Sequence, residues 1–464
     1  MHSSAKLHIR CKMDSLFLLF PIKKQSLAKI FARVNYFSYI CSGFTHTHAN
    51  ILTWVMKIDG FKVDGIANIE HTHLKIVDLC ALIAPNGYGK SNVLRAIEFG
   101  VRFLSADEAE RRQMLGGRWM SINTAIYGKD FSFEITGRIS VDGEEQQFVY
   151  SYQLAWARED REGRVVAEGL KMKRSTDQRY RQLINRAETD NCLIVPSAAG
   201  RCNKPFDVSA NQLALSAIAR SSAMFLNDVA NQIYGIQVPN LETLDNPESY
   251  FSVGGGKGIQ ILGGMTLSEY LYRLKTDDEG NYAILVDGLM QLIPNMEEFS
   301  PEVVSLPGGQ QIYDVRIKEK FCSRPTTIAQ LSSGSKRMIF LFTLCIAAKR
   351  QNVPMIMLEE PENSVHPRMI ENLLLTMQNY AEDTKILMTS HSPYLMRYLK
   401  PSQMYFGLPK NDGLAHFAQV DSSKLKYLYK YAGDMELTFG EYMFDFMLDI
   451  ENDSEKMEKF FIQE

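Results

Sequence analysis

Four short segments hold the residues of this chain that could do chemistry, and together they suit transfer of a phosphoryl group from a nucleoside triphosphate to water. APNGYGKSN runs from Ala84 to Asn92, LSSGSKR from Leu331 to Arg337, IMLEEPENSVHP from Ile356 to Pro367 and TSHS from Thr389 to Ser392. In the first, a glycine-rich turn separates an apolar run, Ile76 to Ile83, from Val93, Ile97, Val101 and Leu104 at helical spacing. That is the strand, loop and helix context of a phosphate loop. Gly87 and Gly89 let the backbone curl, so that the segment Asn86, Gly87, Tyr88, Gly89, Lys90, Ser91 and Asn92 can point amides at phosphate oxygens beside a positive helix N-terminus. Lys90 suits the bridge between the β- and γ-phosphates, and Ser91 suits ligation of Mg2+. Ala84 stands where the pattern has its first glycine, which alanine tolerates if its φ stays below zero.

The third segment supplies carboxylates. Met355 to Leu358 reads as a short buried parallel strand that delivers Glu359 and Glu360 to its carboxyl end, where ligands collect in open α/β sheets. Neighbouring strand residues point to opposite faces, so the two acids divide the work. Glu359 suits the Mg2+ shell, through water, and Glu360 suits polarising the attacking water. The fourth segment ends another strand-like run, Lys385 to Met388, with Ser390 and His391; a histidine there can hold the γ-phosphate and the lytic water. Alone, a Ser-His pair is more often a strand cap, and its weight comes from lying 31 residues after Glu360. The second segment precedes a long apolar helix, Met338 to Ala348. This places Ser332, Ser333, Gly334 and Ser335 at a helix N-terminus, where free amides could meet the γ-phosphate of a nucleotide held by another subunit. Taken singly, SSGS is a Ser/Gly-rich turn.

In order and spacing the set resembles the ABC-type ATPases of the RecF, SMC and OLD (overcoming lysogenisation defect) group, within the AAA-domain proteins of bacterial anti-phage systems. The likeness covers roughly residues 56–135 and 320–410. It implies an α/β ATPase head with a mixed or parallel sheet, an antiparallel β-lobe and a compact helical insertion. It also implies Walker A roles for Lys90 and Ser91, Walker B roles for Glu359 and Glu360, and a signature role for Ser332 to Ser335. Glu362 and Asn363 take the D-loop role, His391 the switch role, and Asn123 is the candidate for the Q-loop. By the same resemblance ATP and Mg2+ are the cofactors, and two protomers sandwich two nucleotides, each phosphate loop facing the partner's signature. A homodimer or higher homo-oligomer is therefore expected.

The elements that must position these residues follow from the rest of the chain. Its 464 residues, 45% hydrophobic, fit two or three domains with a sizeable core. Residues 1–55 carry seven Lys or Arg against Asp14 alone, a balance of +6, which leaves −9 for the remainder of a chain whose net charge is −3. With no small-residue cleavage site after LFLLF, this stretch reads as a basic extension, disordered or a mis-assigned start, while MKIDGFKVDGI from Met56 reads as the first strand of the head. The seven cysteines form no C-x-x-C pair and suit a reducing cytoplasm. No apolar run approaches the roughly 18 to 20 residues of a membrane span.

The head's first half is expected over residues 56–170, with alternating apolar residues from Phe131 to Leu170 and turns at Asp142-Gly143 and Glu162-Gly163 forming the β-lobe. Residues 171–300 read as mainly helical, notably Asn211 to Ile233. Heptads are absent, which excludes a long coiled-coil arm, and VGGGKG (Val253 to Gly258) reads as a flexible turn. Residues 301–410 form the head's second half and 411–464 a helical extension. Lys171, Lys173, Arg174, Arg179, Arg181 and Arg186 against Asp177 give +5 over sixteen residues, either a solvated helix face or a contact for nucleic acid or an acidic partner. Only 73 residues follow His391. There Glu441, Asp445 and Asp449 read as the wet side of an amphipathic helix whose dry side is Tyr442, Phe444, Met447 and Leu448, so no nuclease is expected in this chain. Three functions stay open: an ATPase that holds and releases a separate effector, a nuclease or toxin, in anti-phage defence; a RecF-like DNA-repair ATPase that binds DNA directly; and a pseudo-ATPase that keeps ATP as structural glue.

Overall fold

The computed structural model describes residues 56–462, apart from 118, 188–190, 222–223, 242–259, 294, 306–308, 310, 409–411 and 449–458. The expectations for residues 1–55, for VGGGKG and for Asp449 lie outside the described residues.

In the first half of the chain the strands are β1 (Lys57–Asp64), β2 (Thr72–Lys75), β3 (Leu79–Ile83), β4 (Phe131–Val141), β5 (Glu144–Ala155), β6 (Arg164–Arg174), β7 (Arg181–Arg186), β8 (Cys192–Ile194) and β9 (Lys204–Phe206). Helices α1 (Lys90–Ser105) and α2 (Glu108–Leu115) follow β3, and α3 (Ala214–Ala219) and α4 (Asn227–Tyr234) follow β9. All of these strands except β3 form one antiparallel sheet in the order β2-β1-β4-β5-β6-β7-β8-β9. The cause is a period of two: along β4 every other residue from Phe131 to Ile139 is buried, so one face can pack while the other meets water. Asp142 and Gly143, both at positive φ, close a two-residue hairpin in which Val141 faces Glu144.

The second half contributes β10 (Asn240–Leu241), β11 (Met296–Ser305), β12 (Gln311–Glu319), β13 (Thr326–Thr327), β14 (Met355–Glu359), β15 (Lys385–Ser390), β16 (Met404–Leu408) and β17 (His416–Ala418). Its helices are α5 (Leu267–Asp277), α6 (Glu279–Leu292), α7 (Ser333–Arg350), α8 (Ile370–Ala381), α9 (Pro393–Met396), α10 (Leu425–Asp434) and α11 (Phe439–Leu448). A second sheet has the order β10-β14-β15-β3-β16-β17, parallel except for the β16–β17 pair. It is buried on both faces, which is why its central strands read as unbroken apolar runs. Leu79, Ala81, Ile83, Ile356, Leu358, Ile386 and Met388 enter a core shared with α5 to α8. Cys80, Leu82, Met355, Met357 and Leu387 enter a second core shared with α1 and the antiparallel sheet. The fold is thus α/β, with the parallel sheet sandwiched between these two cores and β11, β12 and β13 forming a small third sheet.

Three expectations need correction. The stretch from Lys171 is not helical at its start: β6 to β9 carry the antiparallel sheet on to Phe206, α3 and α4 lie between Ala214 and Tyr234, β10 follows, α5 and α6 lie between Leu267 and Leu292, and β11 resumes strand structure at Met296. Near the sheet's far edge buried Glu168 and Arg186 are charged and buried Leu183 and Ile184 are adjacent, so the apolar positions conceal the period of two. The helix read from Asn211 to Ile233 is two short helices, α3 and α4, broken between Arg220 and Leu226. The last segment opens with β17 before its helices begin, and on α11 Phe439, Gly440, Met443 and Met447 are buried, with Tyr442 and Phe444 half-buried.

Helix α1 lies against the antiparallel sheet at Gly100, where a Cβ would come 2.2 Å from the Phe133 ring, and the Gly100 carbonyl accepts the buried Tyr152 hydroxyl at 2.6 Å. Gly100→Val should therefore overpack this junction and cost about 1–3 kcal/mol, measured as a lower denaturant midpoint with an unchanged slope.

Candidate nucleotide site

The phosphate loop, the acidic turn and His391 sit at the carboxyl ends of β3, β14 and β15. After β3 the chain turns through Gly87 at φ 86° and Gly89 at φ 90°, conformations that favour glycine, and enters α1 at Lys90. Ala84 lies outside the left-handed region, so the missing first glycine strains nothing. Room for its methyl comes from Gly407 on β16, where an added Cβ would lie 2.6 Å from that of Ala84. Lys90 is 6% exposed, and its ammonium donates to the carbonyls of Ala84 at 2.8 Å and Pro85 at 3.1 Å. Burial pushes its pKa below the ordinary 10.5, while Glu360, then Glu362 and Glu359, pull back in favour of the charged form. A cation parked on backbone oxygens among three carboxylates is poised for an anionic ligand.

The β14 end is held in a strained shape. Glu360 adopts φ 42° and Ser364 φ 64°, left-handed conformations that cost non-glycine residues about 1–3 kcal/mol each and collect at functional sites. The Glu360 amide donates to the Thr389 carbonyl at 3.1 Å. Its carboxylate accepts from Asn363 Nδ2 at 2.8 Å and meets His391 Nδ1 at 2.8 Å. Burial raises the pKa of Glu360, but the bonds from Asn363 and His391 and the charges of His391 and Lys90 outweigh it and hold the carboxyl below its usual range. Glu360 therefore stays an ionised acceptor, which suits a group that polarises water.

Beneath this pair lies Glu362, 5% exposed, which accepts from the Ser390 hydroxyl through Oε1, while its Oε2 has no hydrogen-bond partner among the described residues. Ser390 Oγ in turn accepts from the Ser392 amide at 3.0 Å, and the Ser390 carbonyl accepts from the Ala84 amide at 3.4 Å. Strand β15 thus touches both the loop after β3 and the turn after β14. Burial raises the pKa of Glu362, with the Ser390 bond pulling it down in part.

Of the expected site residues, Lys90, Glu359, Glu360 and His391 share one end of the parallel sheet, with Ser91 beside Lys90 at the start of α1. Ser91 and Glu359 offer oxygen donors only, the set a hard cation such as Mg2+ requires. Ser332, Ser333, Gly334 and Ser335 sit at the N-terminus of α7, where Ser332 Oγ caps the Ser335 amide at 3.2 Å. They pack on the acidic turn: a Cβ at Gly334 would lie 2.5 Å from the Ser364 carbonyl, and buried Arg337 donates to the Asn363 carbonyl at 2.8 Å. Asn123 caps the short turn Thr124–Ile126 and donates to the Gly413 carbonyl at 3.0 Å. The roles of Ser390 beneath Glu362 and of Arg337 against Asn363 had no signal in the sequence beyond their place inside motifs.

The basic cluster divides. Arg186 is buried and donates to the carbonyls of Gln212 and Ser209, so it is no surface contact. Arg181 is spent on the carbonyls of Ser197, Ala198 and Gly200. Lys171, Arg174 and Arg179 remain exposed, and Lys173 lies 4.9 Å from the Tyr180 ring. Among the described residues no helix is long and apolar enough to cross a membrane.

The fold is α/β, with the expected phosphate-loop lysine, acidic turn and histidine at one end of its parallel sheet. Residues 323–397, which hold the α7 serines, Glu359, Glu360 and His391, match a family described as "AAA domain, putative AbiEii toxin, Type IV TA system". Among solved structures, an SMC head bound to the C-winged helix domain of ScpA is similar at 10% identity and a TM-score of 0.45, over 80% of this chain and 99% of the other. The SMC head domain from Thermotoga maritima is similar at 13% identity and a TM-score of 0.39, over 79% and 100%. An Smc head domain with an extended coiled coil, bound to the C-terminal domain of ScpA and derived from Pyrococcus furiosus, is similar at 12% identity and a TM-score of 0.41, over 82% and 100%. No curated protein is similar to the chain in sequence.

The buried Glu362 makes stability depend on pH. Its folded pKa lies above the unfolded 4.5, so the native state holds the proton more tightly. Its stabilising contribution is full below 4.5 and is lost as pH rises through the raised value. Glu362→Gln keeps an acceptor for Ser390 and removes the titration. The decline in melting temperature with rising pH across this window should be shallower in the variant than in the wild type.

Proposed function

We propose that this chain binds ATP with Mg2+ and hydrolyses it, and that nucleotide closes two copies into a dimer that regulates a separate effector, a nuclease or toxin, in bacterial anti-phage defence. The observation that carries the reading is the pairing of Glu360 and His391 at 2.8 Å at the same sheet end as a buried lysine that senses three carboxylates.

In this reading the loop amides from Asn86 to Asn92 surround the β-phosphate and Lys90 leaves the Ala84 and Pro85 carbonyls to reach the β- and γ-oxygens. Ser91 and Glu359 hold Mg2+, Glu359 through water; the ion supplies charge neutralisation between the phosphates. Glu360, kept ionised, orients the lytic water, and His391 holds Glu360 and the γ-phosphate side of the site. Two copies are required because the α7 serines are fastened to the acidic turn of their own chain, from which they can present helix-terminal amides to a nucleotide in a neighbour. Cis contacts of Gly334 and Arg337 with Ser364 and Asn363 connect that surface to Glu360, so closure and water activation report to each other. The description of the family matched by residues 323–397 as a "putative AbiEii toxin, Type IV TA system" supports a toxin-linked setting.

Glu360→Gln should lower kcat by on the order of 10²-fold or more while leaving nucleotide binding intact, and with ATP and Mg2+ it should accumulate as a dimer in light scattering. Lys90→Ala should lose binding and remain a monomer under the same conditions. A Glu360→Gln protein that turns over ATP normally, or stays monomeric with ATP bound, would overturn the proposal.

A further inference from the structure

The outer side of the phosphate loop leans on a second, unrelated part of the chain. Gly89 meets the loop between β1 and β2: a Cβ there would lie 3.0 Å from both side-chain polar atoms of Asn68 and 2.8 Å from the Ala415 methyl. Asn92, the residue after Ser91, donates from Nδ2 to Asn68 Oδ1 at 2.8 Å. The Asn68 carbonyl accepts from the Ala415 amide at 2.8 Å, so Asn68 is gripped on its backbone by the turn before β17 while its side chain grips α1. That turn is fixed in its own right. The Gly413 carbonyl accepts from Asn123 Nδ2 at 3.0 Å and from Asn68 Nδ2 at 3.5 Å, and Asp412 takes the Leu414 amide at 2.9 Å and His416 Nε2 at 2.8 Å. The Asn123 amide closes the circuit on the Ala67 carbonyl at 2.6 Å, with Ala67 itself at φ 53°.

Three segments far apart in sequence, around Asn68, Asn123 and Gly413, therefore meet beside Gly89 and Asn92. Ala67 sits in a left-handed conformation that a non-glycine residue holds only when its surroundings over-determine it. The network supplies that determination, and what it points at is the loop's junction with α1.

We infer that Asn68 is a positioning residue of the phosphate loop, the centre of a clasp made with Asn123 and the Asp412–Ala415 turn that holds Gly89 and Asn92 in a ligand-ready shape before any ligand arrives. A loop held in advance loses less conformational freedom on binding. The clasp acts on binding rather than on the chemical step, because Glu360 and His391 hang from other strands and keep their geometry without it. The inference rests on the nucleotide reading for its ligand but not for its mechanics, and the test separates the two.

Amide exchange read by mass spectrometry in the nucleotide-free protein, comparing wild type with Asn68→Ala and Asn123→Ala, addresses the mechanics. Asn68→Ala should speed exchange in peptides spanning residues 84–94 and 412–416 while the melting temperature holds, and Asn123→Ala, whose lost side chain reaches Gly413 but neither Gly89 nor Asn92, should do so less. Under turnover, KM for ATP should rise roughly fivefold to tenfold in Asn68→Ala, the size of one or two lost hydrogen bonds, with kcat within about twofold. Unchanged exchange at residues 84–94 would overturn the clasp whatever nucleotide does, as would a parallel loss of kcat, KM and melting temperature, which marks a purely structural residue. If exchange responds as expected but the wild type binds no ATP, the clasp stands and the ATP reading falls.

Discussion

A lysine ammonium buried at the end of a parallel sheet is the constraint around which the rest is arranged. Lys90 cannot keep its charge there without oxygen partners, and the fold answers with two backbone carbonyls at its side and three glutamates within electrostatic reach. Those glutamates carry their own cost, since burial resists ionisation in each of Glu360 and Glu362. They find different solutions: Glu360 keeps its charge by taking hydrogen bonds from Asn363 and His391, whereas Glu362 is driven toward the neutral form beneath Ser390. Two carboxyls two positions apart, just beyond β14, thus acquire opposite tendencies, as expected where a site must both accept a proton and stay packed.

That electrostatic arrangement is carried by strained backbone. Glu360 and Ser364 both sit at positive φ in one short turn, and each is over-determined: Glu360 by its amide bond to Thr389 and its two side-chain partners, Ser364 by the close approach of Gly334 on α7. The glycine of the serine-rich segment is therefore needed for packing as well as for its exposed amides. Through this contact and the Arg337 bond to Asn363, a helix N-terminus and a catalytic-type carboxylate share one turn of chain, which gives the fold a mechanical route between the two.

The parallel sheet was the most legible part of the chain. Strands buried on both faces must be apolar at every position, so Leu79–Ile83, Met355–Leu358 and Lys385–Met388 declared themselves, as did the period of two along β4 and β5 and the Asp142-Gly143 hairpin. Less legible was the far edge of the antiparallel sheet. There buried charges, adjacent buried apolar residues and short strands obscured the period, and a cluster of cations read as one patch. In the fold those cations take separate jobs: Arg186 in the core against buried carbonyls, Arg181 on a neighbouring loop, and the others toward water.

From sequence alone came the residue types of the phosphate loop, the paired glutamates and the histidine, together with their order, because each depends on local chemistry that a short motif encodes: glycines for positive φ, a lysine at a helix start, acids after an apolar strand. Tertiary structure alone decided which carboxylate stays ionised, that Gly407 makes room for Ala84, and that Asn68, Asn123 and the turn at Gly413 brace Gly89 and Asn92. These depend on burial and on contacts between residues as far apart as Asn68 and Ala415, and no local pattern in a chain records which distant backbone will fill the space beside it.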